Sequence, residues 1–201
     1  MNTPSHVILA STSKSRAAVL AKAGVVFAQE SPGVDEDTTK IALRAQKACA
    51  AKCAETLAEM KAMAVSARNP EALVIGGDQM LECDGAWFDK PADRASARTQ
   101  LQALRGKRHR LINSLIVARA GQRLWHYADH ADITMRDFTD AFLDNYLSQA
   151  GGGILRSVGG YELEGLGPQL MEKIEGDFFS ILGLPLLPLL AFLREHGVLL
   201  K

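Results

Sequence analysis

An aspartate that follows a short apolar run is well placed to do chemistry. The apolar residues 73–75 lead into two glycines and then Asp78. Ligand sites in α/β sheets form at strand ends, and glycines there let the backbone come close to a ligand. A carboxylate at such a position can coordinate a divalent cation or take a proton from water. The alternative is a turn aspartate that bonds its own backbone.

A second segment combines hydroxyl groups with positive charge. The apolar residues 7–10 lead to Ser11 and Ser13, and a helical pattern that carries Lys14 and Arg16 follows. A helix N-terminus offers unpaired N–H groups and the positive end of the helix dipole, so this segment predicts a site for an anion such as phosphate. The alternative is that a serine caps the helix while both cations face solvent. No Walker loop and no G-x-G-x-x-G motif accompanies any strand.

Other charged residues extend these two segments. The acidic residues 35–37 precede a helix, where they either supply oxygen ligands for a hard cation or complement the helix dipole. Lys47 and Lys90 carry charges that can bind phosphate, although lysines of this kind are usually just exposed. Glu164 lies in a glycine-rich loop, where its carboxylate can accept hydrogen bonds from a base edge. Taken singly, none of these signals identifies a function.

Composition restricts the class of protein. The 201 residues include 23 Lys and Arg against 23 Asp and Glu, so the formal charge is zero. This balance argues against a general nucleic-acid or membrane-surface binder, because such proteins attract phosphate through an excess of positive charge. The hydrophobic fraction of 47% is typical of packed globular proteins. We therefore expect a folded, soluble protein with neither nucleic acid nor membrane as a partner.

The cysteines and the chain ends favour the cytoplasm. Cys49, Cys53 and Cys83 are an odd set without a Cys-x-x-Cys pair, which is usual in a reducing compartment. The first ten residues lack the features of a secretory signal. The apolar residues 181–200 are interrupted by prolines and charges and are not expected to span a membrane.

The predicted elements make a mixed α/β fold in a single domain over residues 1–201. Two hairpin turns are expected, one at Asp84-Gly85 and one around residues 120–122. A long helix is predicted from Thr38 or Thr39 to about Arg68, and Asp93 is expected to cap a helix that ends at Leu104. Further strands are expected at 7–10, 25–28 and 73–75, and further helices at 14–23, 139–150 and 185–196.

In chain order, these segments form a pattern that covers almost the whole sequence. Its parts are residues 8–13 with Arg16, 34–36, 47–48, 74–79, 84–85 with 90–91, 164–167, 174–176 and 183–185. This order resembles the Maf family of nucleoside triphosphate pyrophosphatases. The resemblance implies a fold similar to the inosine triphosphate pyrophosphatases, with an elongated mixed β-sheet flanked by helices. It also implies a nucleotide cleft and a homodimer.

The resemblance also implies roles for individual residues. Asp78 matches the catalytic carboxylate, and Glu36 matches its partner in holding a divalent cation, Mg²⁺ or Mn²⁺. The residues that match phosphate-binding positions are Ser11, Arg16, Lys47 and Lys90, and Ser13 lies in the same phosphate segment. The implied reaction is attack of water on the α-phosphorus, which releases a nucleoside monophosphate and pyrophosphate.

Three positions separate the branches of the family, and here they are Ser15, Gln79 and Glu164. Gln79 and Glu164 match the 7-methyl-GTP branch, whereas Ser15 matches neither branch. A carboxylate can accept the adjacent N1–H and N2–H donors of guanine, while thymine and uracil present N3–H between two carbonyls. The expected substrate is therefore 7-methyl-GTP. The alternatives are a dTTP/UTP pyrophosphatase and a non-catalytic nucleotide sensor that regulates septum formation in cell division.

The chain departs from the family pattern at four places. Asp89 stands where a glycine usually precedes the Lys-Pro pair, and Asn113-Ser114 stand near a usual Thr-Gly. Lys14 replaces the proline of the first motif, and Glu162 stands where the guanine branch tends to have lysine. These departures leave the carboxylates of the expected site intact.

Overall fold

The computed structural model describes residues 6–200, which form a mixed α/β fold. Seven strands lie in one sheet: β1 (Val7–Ala10), β2 (Ala28–Glu30), β3 (Leu73–Cys83), β4 (Ala86–Phe88), β5 (Arg108–Arg119), β6 (Gln122–Met135) and β7 (Met171–Glu175). The helices of the described residues are α1 (Lys14–Lys22), α2 (Glu36–Ala45), α3 (Ala50–Arg68), α4 (Arg94–Leu104), α5 (Asp140–Gln149), α6 (Phe178–Ile181) and α7 (Leu186–Glu195). Short 3₁₀ turns lie at Gly152–Leu155, Val158–Gly160 and Gly167–Leu170.

The sheet contains parallel and antiparallel strand pairs. Its order is β2-β1-β3-β5-β6-β7, and β4 pairs with β3. Strand β1 runs parallel to both β2 and β3, while the β3–β4 and β6–β7 pairs are antiparallel. The mixed sheet with flanking helices confirms the predicted fold class. The specific likeness to inosine triphosphate pyrophosphatases stays a prediction.

The chain divides into two compact units. Within the described residues, the first unit comprises 6–78, 113–129 and 178–200, and the second comprises 79–112 and 130–177. Strands β3, β5 and β6 contribute residues to both units. Among the described residues, no helix is long and apolar enough to cross a membrane.

In the first unit, helix α3 packs directly on the backbone of strand β3. A Cβ added to Gly76 would lie 2.3 Å from the carbonyl oxygen of Ala58 and 2.6 Å from the amide nitrogen of Ala62. On the opposite face of β3, Ile75 belongs to an apolar cluster that includes Leu9, Leu115 and residues of α7. Helix α3 can therefore lie this close to the sheet only because Gly76 has no side chain.

Replacing Gly76 with alanine is expected to lower the free energy of unfolding by about 3 kcal/mol, because the added methyl group overlaps helix backbone that cannot rotate away. Gly151→Ala is a matched control, since an added Cβ at Gly151 meets nothing within 4 Å. Urea unfolding of both variants measures the difference. Equal free energies of unfolding for the two variants would contradict this packing.

The core of the second unit contains a buried polar pair. His109 is 2% exposed, and its Nε2 shares a 2.7 Å hydrogen bond with the hydroxyl of Tyr161. Burial lowers the pKa of His109 to about 4, although the charge of Asp132 acts in the opposite direction. Burial also raises the pKa of Tyr161. Both side chains are therefore held in their neutral forms at neutral pH.

The low pKa of His109 predicts that stability falls with acidification. In the unfolded chain a histidine binds its proton near pH 6.5, whereas folded His109 binds it only near pH 4. The unfolded state therefore gains protons first, so stability is lost as the pH falls from about 6.5 to about 4, by about 3 kcal/mol in total. His109→Gln should flatten this slope in urea titrations, while Tyr161→Phe should keep it because burial is the main cause. An unchanged slope in His109→Gln would contradict the assignment.

Several predicted elements are confirmed and others are wrong. Both hairpins form, and Asp93 caps α4 by accepting a hydrogen bond from the amide of Ser96. The long helix is wrong, because the chain breaks it between Ala45 and Ala50. The cap of its first part is also wrong, since Asp35 caps α2 rather than a threonine. The strand predicted at 25–28 begins only at its last residue.

Candidate functional site

The parallel pairing of β1 with β3 brings distant segments of the first unit together. Ala10, the last residue of β1, is in register with Gly76 of β3. Ser11 follows the end of β1, whereas Asp78 lies within β3, because this strand continues to Cys83 and does not end before Asp78 as predicted. Both residues lie just beyond the last paired residues of the two strands. Ser11 is 4% exposed and Asp78 is 6% exposed. Both polar side chains are therefore buried near the end of β1, and ligand sites in α/β proteins form at strand ends.

Ser13 and Ser11 organise the start of α1. The Ser13 hydroxyl oxygen accepts a hydrogen bond from the amide of Arg16 at 3.3 Å, so Ser13 is the N-cap of α1. The Ser11 hydroxyl oxygen accepts from the amide of Ser13 at 3.2 Å and from Nη1 of Arg16 at 3.4 Å. The capping alternative thus describes Ser13, while Lys14 is exposed and Ser15 is partly buried on the first turn.

Arg16 does not point into solvent. Its Nε donates a 2.7 Å hydrogen bond to the carbonyl oxygen of Gly183. A Cβ added to Gly77 would lie 2.8 Å from Cδ2 of Leu115 and at an ordinary contact distance, 3.5 Å, from that nitrogen, so the glycine makes room for Leu115 beside Arg16. Burial lowers the pKa of Arg16, and the charges of Asp78 and Glu36 act in the opposite direction. The guanidinium therefore lies in the electrostatic field of both carboxylates.

A buried lysine joins the two carboxylates. Nζ of Lys61 donates to Oδ1 of Asp78 at 2.7 Å and lies 2.9 Å from Oε2 of Glu36. The Lys61 side chain is 6% exposed, against 39% for Glu36. Lys61 lies three residues after Ala58 on α3 and hence on the helix face that packs on β3.

Sequence reasoning missed Lys61, although the helix carried a signal for it. Lys61 shares the helical period of the residues that α3 buries: Ala50, Cys53, Ala54, Leu57, Ala58, Ala62, Val65 and Ser66. A lysine on such an apolar face is almost never fully buried without a partner, so its position predicts a nearby carboxylate. The period of the helix is therefore the signal by which Lys61 could have been found.

Lys47, which was expected from the sequence to bind phosphate, lies between helices α2 and α3. It is exposed and has a left-handed backbone (φ 55°). Lys61 contacts both carboxylates, whereas the expected contact of Lys47 with phosphate stays a prediction. Asp35, meanwhile, accepts a 3.0 Å hydrogen bond from the amide of Thr38, which starts α2 and places Glu36 in its first turn.

The other predicted site residues belong to the second unit. Gln79 is partly buried on β3, and Lys90 is exposed beyond β4. Glu164 is exposed in a tight turn. The carbonyl oxygen of Glu162 closes this turn by accepting hydrogen bonds from the amides of Gly165 and Gly167 at 3.2 and 3.1 Å. The contact of Glu164 with a base stays a prediction.

The cluster of Ser11, Arg16, Glu36, Lys61 and Asp78 suits a metal-bound polyphosphate. Its two carboxylates both contact the Lys61 ammonium group, at 2.7 and 2.9 Å, and carboxylate oxygens are ligands that divalent cations take. Mg²⁺ usually takes one or two carboxylates and completes its shell with water and substrate phosphates. In the described part of the chain, no group of three or more His, Cys, Asp or Glu side chains that could hold a metal ion is found. A cation held by Glu36 and Asp78 stays a prediction.

Comparison with known proteins shows which family the chain resembles. The family model described as "Maf-like protein" matches residues 6–196. A nucleoside triphosphate pyrophosphatase of Paramagnetospirillum magneticum is 55% identical over 96% of this chain and 99% of its own length. One from Rhodospirillum rubrum is 53% identical over 97% and 96%. A 7-methyl-GTP pyrophosphatase of Brucella abortus is 46% identical over 94% and 96%. The chain belongs to the Maf family.

Proposed function

We propose that this protein hydrolyses a nucleoside triphosphate to the nucleoside monophosphate and pyrophosphate, and so is a hydrolase acting on acid anhydrides. The observation that carries the proposal is the contact of Lys61 with both Asp78 and Glu36, beside the Arg16 guanidinium. Such a cluster offers carboxylates to a cation and positive groups to phosphates. The names of the pyrophosphatase relatives support the same reaction.

Each side chain of the cluster has a task in this reaction. Asp78 accepts a proton from the water that attacks the α-phosphorus, and the bond to the bridging oxygen of pyrophosphate then breaks. Lys61 fixes the orientation of the Asp78 carboxylate through Oδ1. The Arg16 guanidinium and the Ser11 hydroxyl hold the phosphate oxygens, and they need little rearrangement because hydrogen bonds already position them.

A divalent cation, Mg²⁺ or Mn²⁺, completes the proposed site. Glu36 and Asp78 would hold it together with phosphate oxygens of the substrate. When bound, the cation neutralises phosphate charge and supports the developing negative charge of the transition state. Glu36 is suited to this role because its side chain is 39% exposed and can reorient when substrate enters.

We propose 7-methyl-GTP as the substrate. Glu164 is an exposed carboxylate held on a tight turn, and it can accept the two adjacent donors of a guanine edge. Gln79 and Glu164 match the pattern of the 7-methyl-GTP branch, and the Brucella abortus relative bears that name. The same carboxylate would face carbonyl oxygens of thymine or uracil, which disfavours dTTP and UTP.

Pyrophosphate release from 7-methyl-GTP, GTP, dTTP and UTP, measured side by side with Mg²⁺ and with Mn²⁺, tests both proposals. We expect 7-methyl-GTP to give the highest kcat/KM. Glu164→Gln should lower that value about tenfold. The Glu164 carboxylate has two acceptor oxygens and a negative charge, whereas the glutamine amide has one acceptor oxygen and no charge. Glu172→Gln, an exposed glutamate of β7, is the control.

The possible outcomes separate the alternatives. A preference for dTTP or UTP in the wild-type protein would overturn the substrate proposal and keep the reaction. Tight nucleotide binding without pyrophosphate release, under either metal, would overturn the reaction and favour a nucleotide-sensing protein.

A further inference from the structure

A buried polar network lies next to the Arg16 segment in the first unit. Asn113 is fully buried on β5, and its Nδ2 donates to Oδ1 of Asp129 at 3.1 Å and to the carbonyl oxygen of Ser180 at 2.9 Å. The hydroxyl of Ser180, also fully buried, donates to Oδ2 of Asp129. Three segments distant in sequence are thus joined through three side chains.

This network continues by backbone hydrogen bonds to Arg16. The Ser180 carbonyl oxygen that accepts from Asn113 also accepts from the amide of Gly183 at 3.0 Å. The Gly183 carbonyl oxygen in turn accepts from Nε of Arg16 at 2.7 Å. Gly183 has a left-handed backbone (φ 86°), a conformation that residues other than glycine rarely adopt. The direction of its carbonyl therefore depends on how the turn at Ser180 is held.

We propose that Asn113 is a positioning residue for Arg16. Asn113 holds the turn that runs from Ser180 to Gly183, and this turn holds the carbonyl that orients the guanidinium. The inference rests on the proposed function, since the purpose of orienting Arg16 is to meet phosphate oxygens. It also gives a task to one of the positions where the chain departs from the family pattern.

The chemistry of the asparagine side chain suits this task. Its NH₂ group has two donors, one for Asp129 and one for the Ser180 carbonyl. A threonine hydroxyl at this position would have a single donor and could not serve both acceptors. Loss of the Asn113 side-chain amide would remove its hydrogen bond to the Ser180 carbonyl oxygen. That oxygen would keep the hydrogen bond from the backbone N–H of Gly183, and the turn could shift. Misplacement of a substrate-binding group by about 1 Å can lower turnover about a hundredfold.

Asn113→Ala tests the inference against a matched control, Ser114→Ala. Ser114 is the next residue of the same strand and is 1% exposed, and its hydroxyl forms a 3.0 Å hydrogen bond with Nε2 of His126. Each substitution removes one buried polar side chain, so both should lower the melting temperature. Only Asn113→Ala should lower kcat/KM by about tenfold, and Ser114→Ala should stay within about twofold of wild type. Equal losses of kcat/KM in the two variants would show a merely structural role and overturn the inference.

A double-mutant cycle makes the test specific for Arg16. If Asn113 acts through Arg16, then Asn113→Ala should cause no further loss of kcat/KM in an Arg16→Ala background, because the positioned group is already absent. Independent, additive losses would overturn the inference. Should Asn113→Ala fail to fold, the same cycle with Asn113→Thr, whose single donor cannot serve both Asp129 and the Ser180 carbonyl, gives the answer.

A readout without turnover separates this inference from the proposed function. The Nε–H resonance of Arg16, assigned by its loss in Arg16→Lys, should exchange slowly with solvent in the wild-type protein and at least about tenfold faster in Asn113→Ala and Ser180→Ala. Ser114→Ala should leave it unchanged. Slow exchange in all variants would overturn the positioning role even in an active enzyme. Faster exchange without any nucleotide hydrolysis by the wild type would support the positioning role and reject the proposed function.

Discussion

Replacing Asp78 with asparagine is expected to lower kcat about a thousandfold, a loss typical of removing a general base. The amide has nearly the same shape, but it cannot accept the proton of the attacking water and offers no negative charge to a cation. Asparagine can still accept a hydrogen bond from Lys61, which also keeps its 2.9 Å contact with Glu36. The fold should therefore survive, and the loss should appear in turnover.

Pyrophosphate release at saturating nucleotide and Mg²⁺ measures this effect. Asp37→Asn is the matched control, because Asp37 is an exposed aspartate in the first turn of α2, next to Glu36. It should retain activity within about twofold of wild type, as usual for surface substitutions away from the chemistry. Near-normal turnover in Asp78→Asn would remove Asp78 from the reaction and leave the cluster with a binding role only.

The sequence predicted those elements whose signals are local. The turn at Asp84 and Gly85 has positive φ at both residues, 52° and 79°, which is the geometry that an Asp-Gly pair favours in a two-residue hairpin. Asp93 caps α4 through a single hydrogen bond to a residue three positions later. In each case the residues that decide the structure are close together in the chain, so the rest of the fold has little influence on them.

The break between α2 and α3 depends on distant contacts instead. Residues 46–50 include good helix formers, so propensity alone favours a continuous helix. Yet α2 has no fully buried residue, whereas α3 buries a whole face against the sheet. Packing against the sheet therefore sets the direction of α3. Lys47 takes the left-handed conformation that lets the chain turn between α2 and α3. Local helix propensity does not report this tertiary effect. A prediction of one continuous helix therefore could not show that Lys61 lies beside the carboxylates.

Strand β7 had no usable pattern of its own. Its residues Met171–Glu175 are mostly exposed and include three charges, so they show no alternation between apolar and polar residues. The strand forms because β6 offers a free edge, with Ile133 and Ile174 in register. An edge strand of this kind is decided by its neighbour, and sequence periodicity cannot predict it.

Replacing Lys61 with methionine is expected to lower both stability and turnover, because the Lys61 ammonium separates two carboxylates that otherwise repel each other. The Lys61 and Asp78 side chains are 6% and 8% exposed, so the pair is buried. Removing one partner of a buried pair costs about 3 kcal/mol in free energy of unfolding. We also expect a fall in kcat of about a hundredfold, since Asp78 loses the contact that orients it.

The response to Mg²⁺ gives this prediction its sharpest test. With Lys61 absent, Glu36 and Asp78 should bind the cation without competition, and a ligand that binds only the folded state raises its stability. Added Mg²⁺ should therefore raise the melting temperature of Lys61→Met by several degrees more than that of the wild type. Lys52→Met is the control on the same helix, because Lys52 is 57% exposed and its 3.8 Å pair with Glu55 should contribute at most about 1 kcal/mol. If Mg²⁺ stabilises Lys61→Met no more than the control, then the two carboxylates do not form a cation site.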